Sequence, residues 1–276
     1  MSVNPERLAP CLTAVRSKNP LVHCVTNYVT ANDCANALLA VGASPVMADD
    51  IAEMEDLVSI ADALVINIGT LNERVILSMR SAMAAAARKG VPILLDPVGA
   101  GASRLRTETA RAFMAEFPLA AIRGNASEIG VLASGTGASR GVDARDADGA
   151  LASVRENASR LARSCSALVA VTGAVDVVTD GEETRYVRNG HPLLPQITGS
   201  GCMLSAVAGA FLGACRNGGG AARLDALTAA LCLSGLAGEL AATEEGTGTF
   251  RVRLIDVLSR LDEATFAGGI RCDAHR

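Results

Sequence analysis

Short aliphatic runs alternate with longer helical patterns along most of this chain. The runs LVHCVTN (21–27), SPVMA (44–48), ALVINIG (63–69), PILLDPV (92–98), LAAIRGN (119–125) and ALVAVTG (167–173) are almost continuously apolar. A strand with one wet face alternates; a strand covered on both faces reads as an unbroken apolar run. Between the runs lie Ala- and Leu-rich stretches at 29–41, 72–88, 107–116 and 150–164 that predict helices. The alternation predicts an α/β fold, a mostly parallel central sheet with helices on both faces.

Past residue 173 the pattern changes. VDVVTD (175–180) and TRYVRN (184–189), separated by a turn that begins Asp180–Gly181, predict a β-hairpin. Helices are expected over 202–215, 224–242 and 253–264. The Gly- and Asp-rich stretch 134–149 reads as an exposed connection, and no repeat or proline-rich linker divides the chain. One domain over 1–276 is the expectation. The last stretch, FAGGIRCDAHR, predicts no element, and His275 falls in what reads as a tail.

Composition narrows the classes. Half of the 276 residues are apolar, 20% are charged and the net charge is −4. A sizeable core is available, and no basic footprint for nucleic acid exists. The longest apolar run, read at 203–215, is too short to span a bilayer. The start lacks an apolar core behind a basic stretch, and the eight cysteines form no CxxC pair. A reducing cytoplasm is the simplest setting, with the cysteines other than Cys202 read as small apolar residues.

Several predicted strands end in polar or glycine-rich groups: Thr26–Asn27, Gly69–Thr70, Asp96–Pro97, Arg123–Gly124–Asn125 and Thr172–Gly173. Ligands of open α/β sheets bind at the carboxyl ends of the strands, so the candidate chemistry gathers along one edge. No GxxxxGK[ST] occurs, and the only lysines are Lys18 and Lys89, so a phosphate must be held by backbone amides, arginine or metal. TGSGCMLSAVAGAFLGA (198–214) offers amides: a Gly-Ser-Gly turn runs into an apolar helical pattern with Thr198 or Ser200 as its cap. Free N–H groups and the helix dipole favour an anion there. The same turn also reads as plain punctuation before a core helix. Gly201, Ser205, Gly209 and Gly213, four residues apart, make a stripe for close packing.

Asp96 and Glu128 are candidate acids for a magnesium ion. Asp96 before proline equally reads as a turn former, and Asn125-Ala-Ser-Glu128 has the spacing of a helix capping box. Arg123 suits a phosphate oxygen or a surface ion pair. Of the three histidines none has metal-ligand spacing, and His23 reads as a satisfied core residue.

PLVHCVTNYVTANDCANALLAVGASPVMA (20–48), ALVINIGTL (63–71), PILLDPVGAGAS (92–103), AAIRGNASEI (120–129), VAVTGAVDVVTDG (169–181) and ITGSGCMLSAVAGAF (197–211) together resemble the hydroxyethylthiazole kinases of the ribokinase-like superfamily. HCVTNYV and GASPVMA carry the family resemblance; DPVGAG, NxxE and the GSG-helix element are shared more widely. The resemblance implies transfer of the ATP γ-phosphate to the hydroxyl of 5-(2-hydroxyethyl)-4-methylthiazole, a salvage step toward thiamine. Carried over by motif, Asn27 and Met47 would contact the thiazole and Gly199 its hydroxyethyl arm. Arg123 and Thr172 would contact ATP. Asp96 and Glu128 would organise Mg²⁺, mostly through water. The turn Gly199, Ser200 and Gly201 would hold the transferring phosphate. Cys202, where many superfamily members carry Asp, would orient the substrate hydroxyl or weakly accept its proton. The resemblance also implies a homotrimer with the thiazole pocket between subunits.

Three other readings stay open on the residues. Another small-alcohol kinase, such as a hydroxymethylpyrimidine kinase, shares the phosphate elements but not HCVTNYV. A cysteine-nucleophile enzyme built on Cys202 would need an adjacent base, and neither His23 nor His191 sits in a supporting motif. A non-catalytic binder predicts thiazole binding without turnover.

Overall fold

The computed structural model describes residues 3–134 and 147–275. The chain begins with helix α1 (Pro5–Lys18), then strand β1 (Leu21–Val25), α2 (Ala31–Val41), β2 (Ser44–Val46), α3 (Met54–Ile60), β3 (Ala63–Asn67), α4 (Glu73–Lys89) and β4 (Ile93–Asp96). It continues with α5 (Arg104–Glu116), β5 (Ala121–Asn125), α6 (Ala126–Ala133), α7 (Ala147–Cys165), β6 (Leu168–Thr172), β7 (Asp176–Thr179) and β8 (Thr184–Val187). Four helices follow, α8 (Ser200–Ala214), α9 (Gly220–Ala241), α10 (Thr247–Arg260) and α11 (Glu263–Gly269), and strand β9 (Cys272–His275) closes the described chain.

The strands form one sheet in the order β2-β1-β3-β4-β5-β6-β7-β8-β9. The pairings from β2 to β6 are parallel; those of β7, β8 and β9 are antiparallel. Successive side chains of each central strand enter opposite cores, as the two-residue period of a strand requires. Ala63 and Val65 of β3 join one core with α1, α2 and α8 to α11, whereas Leu64 and Ile66 join the other with α3 to α7. Both faces are therefore dry, which is why these runs read as unbroken apolar segments.

The expected strands and hairpin all form, each two or three residues shorter than the run that marks it, because the terminal residues lead into turns and connections. Asp180 Oδ1 accepts from the N–H groups of Glu182 (2.9 Å) and Glu183 (2.8 Å), and Gly181 takes φ +98° in the hairpin turn. The 134–149 connection falls at residues 135–146 outside the described residues.

Some expectations need correction. The C-terminal stretch is not a tail: β9 pairs with β8, Cys272 opposite Val187 and His275 opposite Thr184. Helix α9, not the 203–215 run, is the long apolar segment; its 22 residues reach membrane-spanning length and composition, yet 78% of its apolar window is buried inside the protein, as for a core helix. Helices α1 and α3 fall outside the expected spans, and the single helix expected over 253–264 is two: α10 ends at Arg260, and α11, capped by Asp262, starts at Glu263 and runs to Gly269. His23 is wholly buried but only half satisfied: Nε2 pairs with the Ala48 carbonyl at 3.1 Å, and Nδ1 finds no partner among the described residues.

The predicted small-residue stripe sets α8 against the sheet. A methyl group on Gly209 would lie 2.5 Å from Val65 Cγ2, and one on Gly213 would lie 3.2 Å from Asp62 Cβ. This close approach lets the first turn of α8 reach the carboxyl ends of β1, β3 and β4.

Candidate active site

The polar groups that end β1, β3, β4, β5 and β6 lie along one edge of the sheet, and the first turn of α8 stands over them. Helix α8 starts without a side-chain cap: neither Thr198 nor Ser200 fills that place, and Gly199 occupies it with φ +87°. Glycine is needed there on two counts. The left-handed backbone disfavours other residues, and a Cβ would lie 2.6 Å from Thr30 Cγ2. Two residues on, a Cβ at Gly201 would lie 2.6 Å from Arg123 Nη1. No side chain caps the first amides of α8, which suits them to an anion.

Below this turn runs a chain of amides and a carboxylate. Asn27, buried just beyond β1, accepts from the Thr30 N–H (3.1 Å) and hydroxyl (3.0 Å), and its Nδ2 donates to Asn67 Oδ1 (3.0 Å) and to Cys202 Sγ (3.2 Å). Asn67, the last residue of β3, donates to Asp96 Oδ2 (2.9 Å) and to the same sulfur (3.2 Å). Ser205, one turn beyond Cys202 on α8, donates to Asp96 Oδ2 at 2.8 Å.

Asp96 is wholly buried. Burial raises its pKa to about 6, opposed by Arg123 and by the bonds from Ser205 and Asn67. Arg123 Nη1 lies 3.8 Å from Asp96 Oδ2, and Arg123 Nη2 donates to Thr172 Oγ1 at 2.7 Å. Arg123 is thus not a surface ion pair. Asp96 Oδ1 finds no hydrogen-bond partner among the described residues, an expensive arrangement for a buried oxygen unless a ligand or water completes it.

Glu128 behaves as its capping-box spacing requires. Its Oε2 accepts from the Asn125 N–H (2.8 Å), Asn125 Oδ1 accepts from the Glu128 N–H (2.9 Å), and Oε1 accepts from the Gly99 N–H (2.8 Å). Both carboxylate oxygens are engaged, so Glu128 would reach a cation with its remaining lone pairs through water, while Asp96 has one unpartnered oxygen. Magnesium keeps several waters and uses one or two carboxylates, so these residues fit it. Among the described residues no cluster of three His, Cys, Asp or Glu could chelate a metal without such help.

A cavity of about 620 Å³ opens beside the turn. Arg123, Thr172, Ser200 and Gly201 line it, with Leu204 and Leu231 among the apolar residues of its wall. Asp176 also lines it, with Oδ1 accepting from the Gly173 N–H at 2.9 Å and its pKa raised by burial to about 6. Asn27 and Met47 do not reach this cavity; Met47 is half-buried against the core beside α8. The Gly199–Gly201 turn therefore has two sides. Gly201 abuts Arg123 on the cavity side, and Gly199 abuts Thr30, which holds Asn27, on the other.

The profile of the Hydroxyethylthiazole kinase family matches residues 12–264. The chain belongs to the hydroxyethylthiazole kinase family. A hydroxyethylthiazole kinase of Desulfovibrio desulfuricans is 48% identical over 97% of this chain and 98% of its own. The solved structure of a hydroxyethylthiazole kinase protein from Pyrococcus horikoshii is 39% identical, covers 98% of this chain and 100% of its own, and superposes with a TM-score of 0.88. A ribokinase-like superfamily protein of Enterococcus faecalis is 13% identical over 95% of this chain and 96% of its own, and shares the fold at a TM-score of 0.61.

In this hydroxyethylthiazole kinase family member the residues carried over by motif fall into two groups across the turn. Arg123 and Thr172 join the cavity, Asn27 and Cys202 share a hydrogen bond, and Asp96 lies beneath both groups. Sequence reasoning missed Asn67, Thr30, Ser205 as the partner of Asp96, and Asp176. The signal for Asn67 was present as the lone amide in the apolar run ALVINIG.

Proposed function

We propose that this protein transfers the γ-phosphoryl group of ATP to the hydroxyl of 5-(2-hydroxyethyl)-4-methylthiazole, serving thiamine salvage. The observation that carries this reading is the two-sided turn. A nucleotide in the 620 Å³ cavity and an alcohol beside Asn27 and Met47 would meet at the same free amides of Gly199–Gly201. In this reaction the bond between the γ-phosphorus and the β,γ-bridging oxygen breaks, the alcohol oxygen bonds the phosphorus, ADP leaves, and the hydroxyl proton departs.

The residues act chiefly by position and charge, as a loose phosphoryl-transfer transition state demands. Arg123 and the turn amides stabilise equatorial phosphate oxygens, and Thr172 holds Arg123 in place. Magnesium, when bound, neutralises phosphate charge; Asp96 and, through water, Glu128 would hold it. Cys202 Sγ, fixed by two amide donors, orients the alcohol and accepts its proton weakly. Single amino-acid partners of this kind contribute modestly when positioning supplies most of the acceleration.

The working form in this reading is a cytoplasmic homotrimer of one-domain chains whose thiazole pocket a neighbouring subunit completes. Tyr28 and Val29, directly after Asn27, are 81% and 56% exposed; an aromatic and an aliphatic side chain at the rim of a binding site suit burial against a second chain. ADP release measured with Mg·ATP and either the thiazole alcohol or a hydroxymethylpyrimidine tests the substrate assignment. Turnover with the thiazole supports it, and turnover with the pyrimidine alone overturns it.

A further inference from the structure

We infer that Asn67 is a positioning residue of the active site, setting the direction of both the Cys202 sulfur and the Asp96 carboxylate. The inference rests on the kinase reading for its catalytic consequence, while its structural core stands on this chain's own hydrogen bonds.

Asn67 is 1% exposed and ends β3 directly opposite Asp96 in the parallel register with β4. Its amide is used to capacity: Oδ1 accepts from Asn27 Nδ2 (3.0 Å) and the Gly69 N–H (2.9 Å), and the two Nδ2 hydrogens go to Asp96 Oδ2 (2.9 Å) and Cys202 Sγ (3.2 Å). The orientation of this amide is forced. A backbone N–H only donates, so Gly69 must face the oxygen, and the nitrogen must then face the carboxylate and the sulfur. Asn27 is fixed in the same way, because its oxygen faces the Thr30 N–H (3.1 Å). Two amides with determined polarity thus aim N–H groups at one sulfur.

Two consequences follow for the chemistry. The Cys202 sulfur is an acceptor on its amide side, so its capacity to take up a proton, or to hold one against the alcohol, points away from Asn27 and Asn67. Negative charge developing on that sulfur is stabilised by the two donors. The second consequence concerns Asp96. With Oδ2 engaged by Asn67 and Ser205, the carboxylate is held in one orientation, and Oδ1, without a partner among the described residues, is the oxygen left for a cation or a water. Asn67 links the proton acceptor to the cation-holding acid; an aliphatic residue of equal size would fill the space and direct neither. A purely architectural role would not use an amide whose two ends are both assigned to site groups.

The test uses Asn67→Ala and the near-isosteric Asn67→Asp, which removes the two N–H donors in the ionised form. In ligand-free protein, iodoacetamide labelling of Cys202 at pH 8, followed by peptide mass, is expected to slow about tenfold in both variants, the loss associated with one hydrogen bond to charge. In steady state, kcat is expected to fall 10- to 100-fold with KM for ATP and for the alcohol changed less than threefold. In a Cys202→Ala background Asn67→Ala should cost several-fold less than in wild type. Unchanged Cys202 labelling in folded variants, or a rise in KM with kcat kept, overturns the inference. The labelling needs no substrate, so a wild type that ignores the thiazole alcohol would sink the kinase reading and leave this arm standing or falling by itself. Should Asn67→Ala fail to fold, Asn67→Leu, which fills the space without an amide or a charge, decides by the same labelling.

Discussion

Gly201 lies against the Arg123 guanidinium so closely that a single added methyl would stand 2.6 Å from Nη1 and 3.0 Å from Nη2. The clash falls on the far end of a flexible side chain. Gly201→Ala is therefore expected to keep the fold, with a melting temperature near that of wild type, and to push Arg123 off Thr172 and Asp96. The catalytic efficiency with ATP should fall about 10- to 100-fold, the worth of one or two charge-assisted hydrogen bonds. Calorimetry and steady-state kinetics on the same preparation separate the two effects.

Gly199→Ala behaves differently, although it lies two residues away. Its backbone is left-handed at φ +87°, and its Cβ would meet Thr30, a short β-branched side chain that cannot step aside. A stability loss of about 1–3 kcal/mol is expected, together with a raised KM for the alcohol, because Thr30 holds Asn27 through both its N–H and its hydroxyl. A rise in KM for ATP alone would contradict the two-sided turn.

Asp96 makes stability depend on pH in a stated direction. Its pKa in the folded protein is raised to about 6, chiefly by burial, against about 3.9 unfolded. Between those values the folded state binds more protons than the unfolded state, so the Asp96 contribution is fully present below about pH 4 and is lost as pH rises through about 6. The loss is up to about 3 kcal/mol for a shift of this size. In protein free of magnesium, Asp96→Asn should therefore be more stabilising at pH 7 than at pH 5 by thermal denaturation, while abolishing turnover. Magnesium with ATP should reverse the wild-type trend, since a cation requires the ionised carboxylate.

Cys202→Ala is expected to lower kcat about 10- to 100-fold, at the small end of general-base effects, with little change in either KM. Cys202→Asp should retain more activity than the alanine variant, since a carboxylate also accepts both amide donors. Full turnover by Cys202→Ala would make this residue structural.

Packing along α8 gives a stability contrast. Gly209→Ala places a methyl 2.5 Å from Val65 Cγ2 and 3.2 Å from Val22 Cγ1. It should cost about 1–3 kcal/mol by overpacking, and lower activity too, because Cys202 and Ser205 ride on the same helix. Gly248→Ala in α10, where a Cβ meets nothing within 4 Å, should instead stabilise by about 0.5–1 kcal/mol. Urea denaturation of both variants provides the measurement.

The central sheet was legible because its strands are dry on both faces, and ALVINIG or PILLDPV admits little else at that length. The elements that escaped lacked such a signature. Strand β9, with sequence CDAH, is polar at two of four positions and is a strand only because β8 offers it a ladder. Helix α3 is a seven-residue piece, MEDLVSI, whose buried Met54 and Val58 are its only core contacts. At the site, Gly199, Gly201, Cys202, Asp96 and Arg123 could be named because each lies in a short contiguous motif. Asn67 could not, because its role arises only when β3 and β4 pair in register and α8 closes over them, which joins residues 67, 96 and 202. Glu128 shows the converse: its capping box was fully readable, and the box engages both its oxygens.

ATP and a thiazole alcohol would meet from opposite sides of the Gly199–Gly201 turn. The most direct measurement follows the γ-phosphoryl group itself: wild-type protein with Mg·ATP labelled at the γ-phosphate and 5-(2-hydroxyethyl)-4-methylthiazole, with both products quantified. One labelled thiazole phosphate is expected for every ADP, with loss of that product in Gly199→Ala and Gly201→Ala through different substrates' KM values. ADP without labelled thiazole phosphate, from protein shown to be folded, would contradict it.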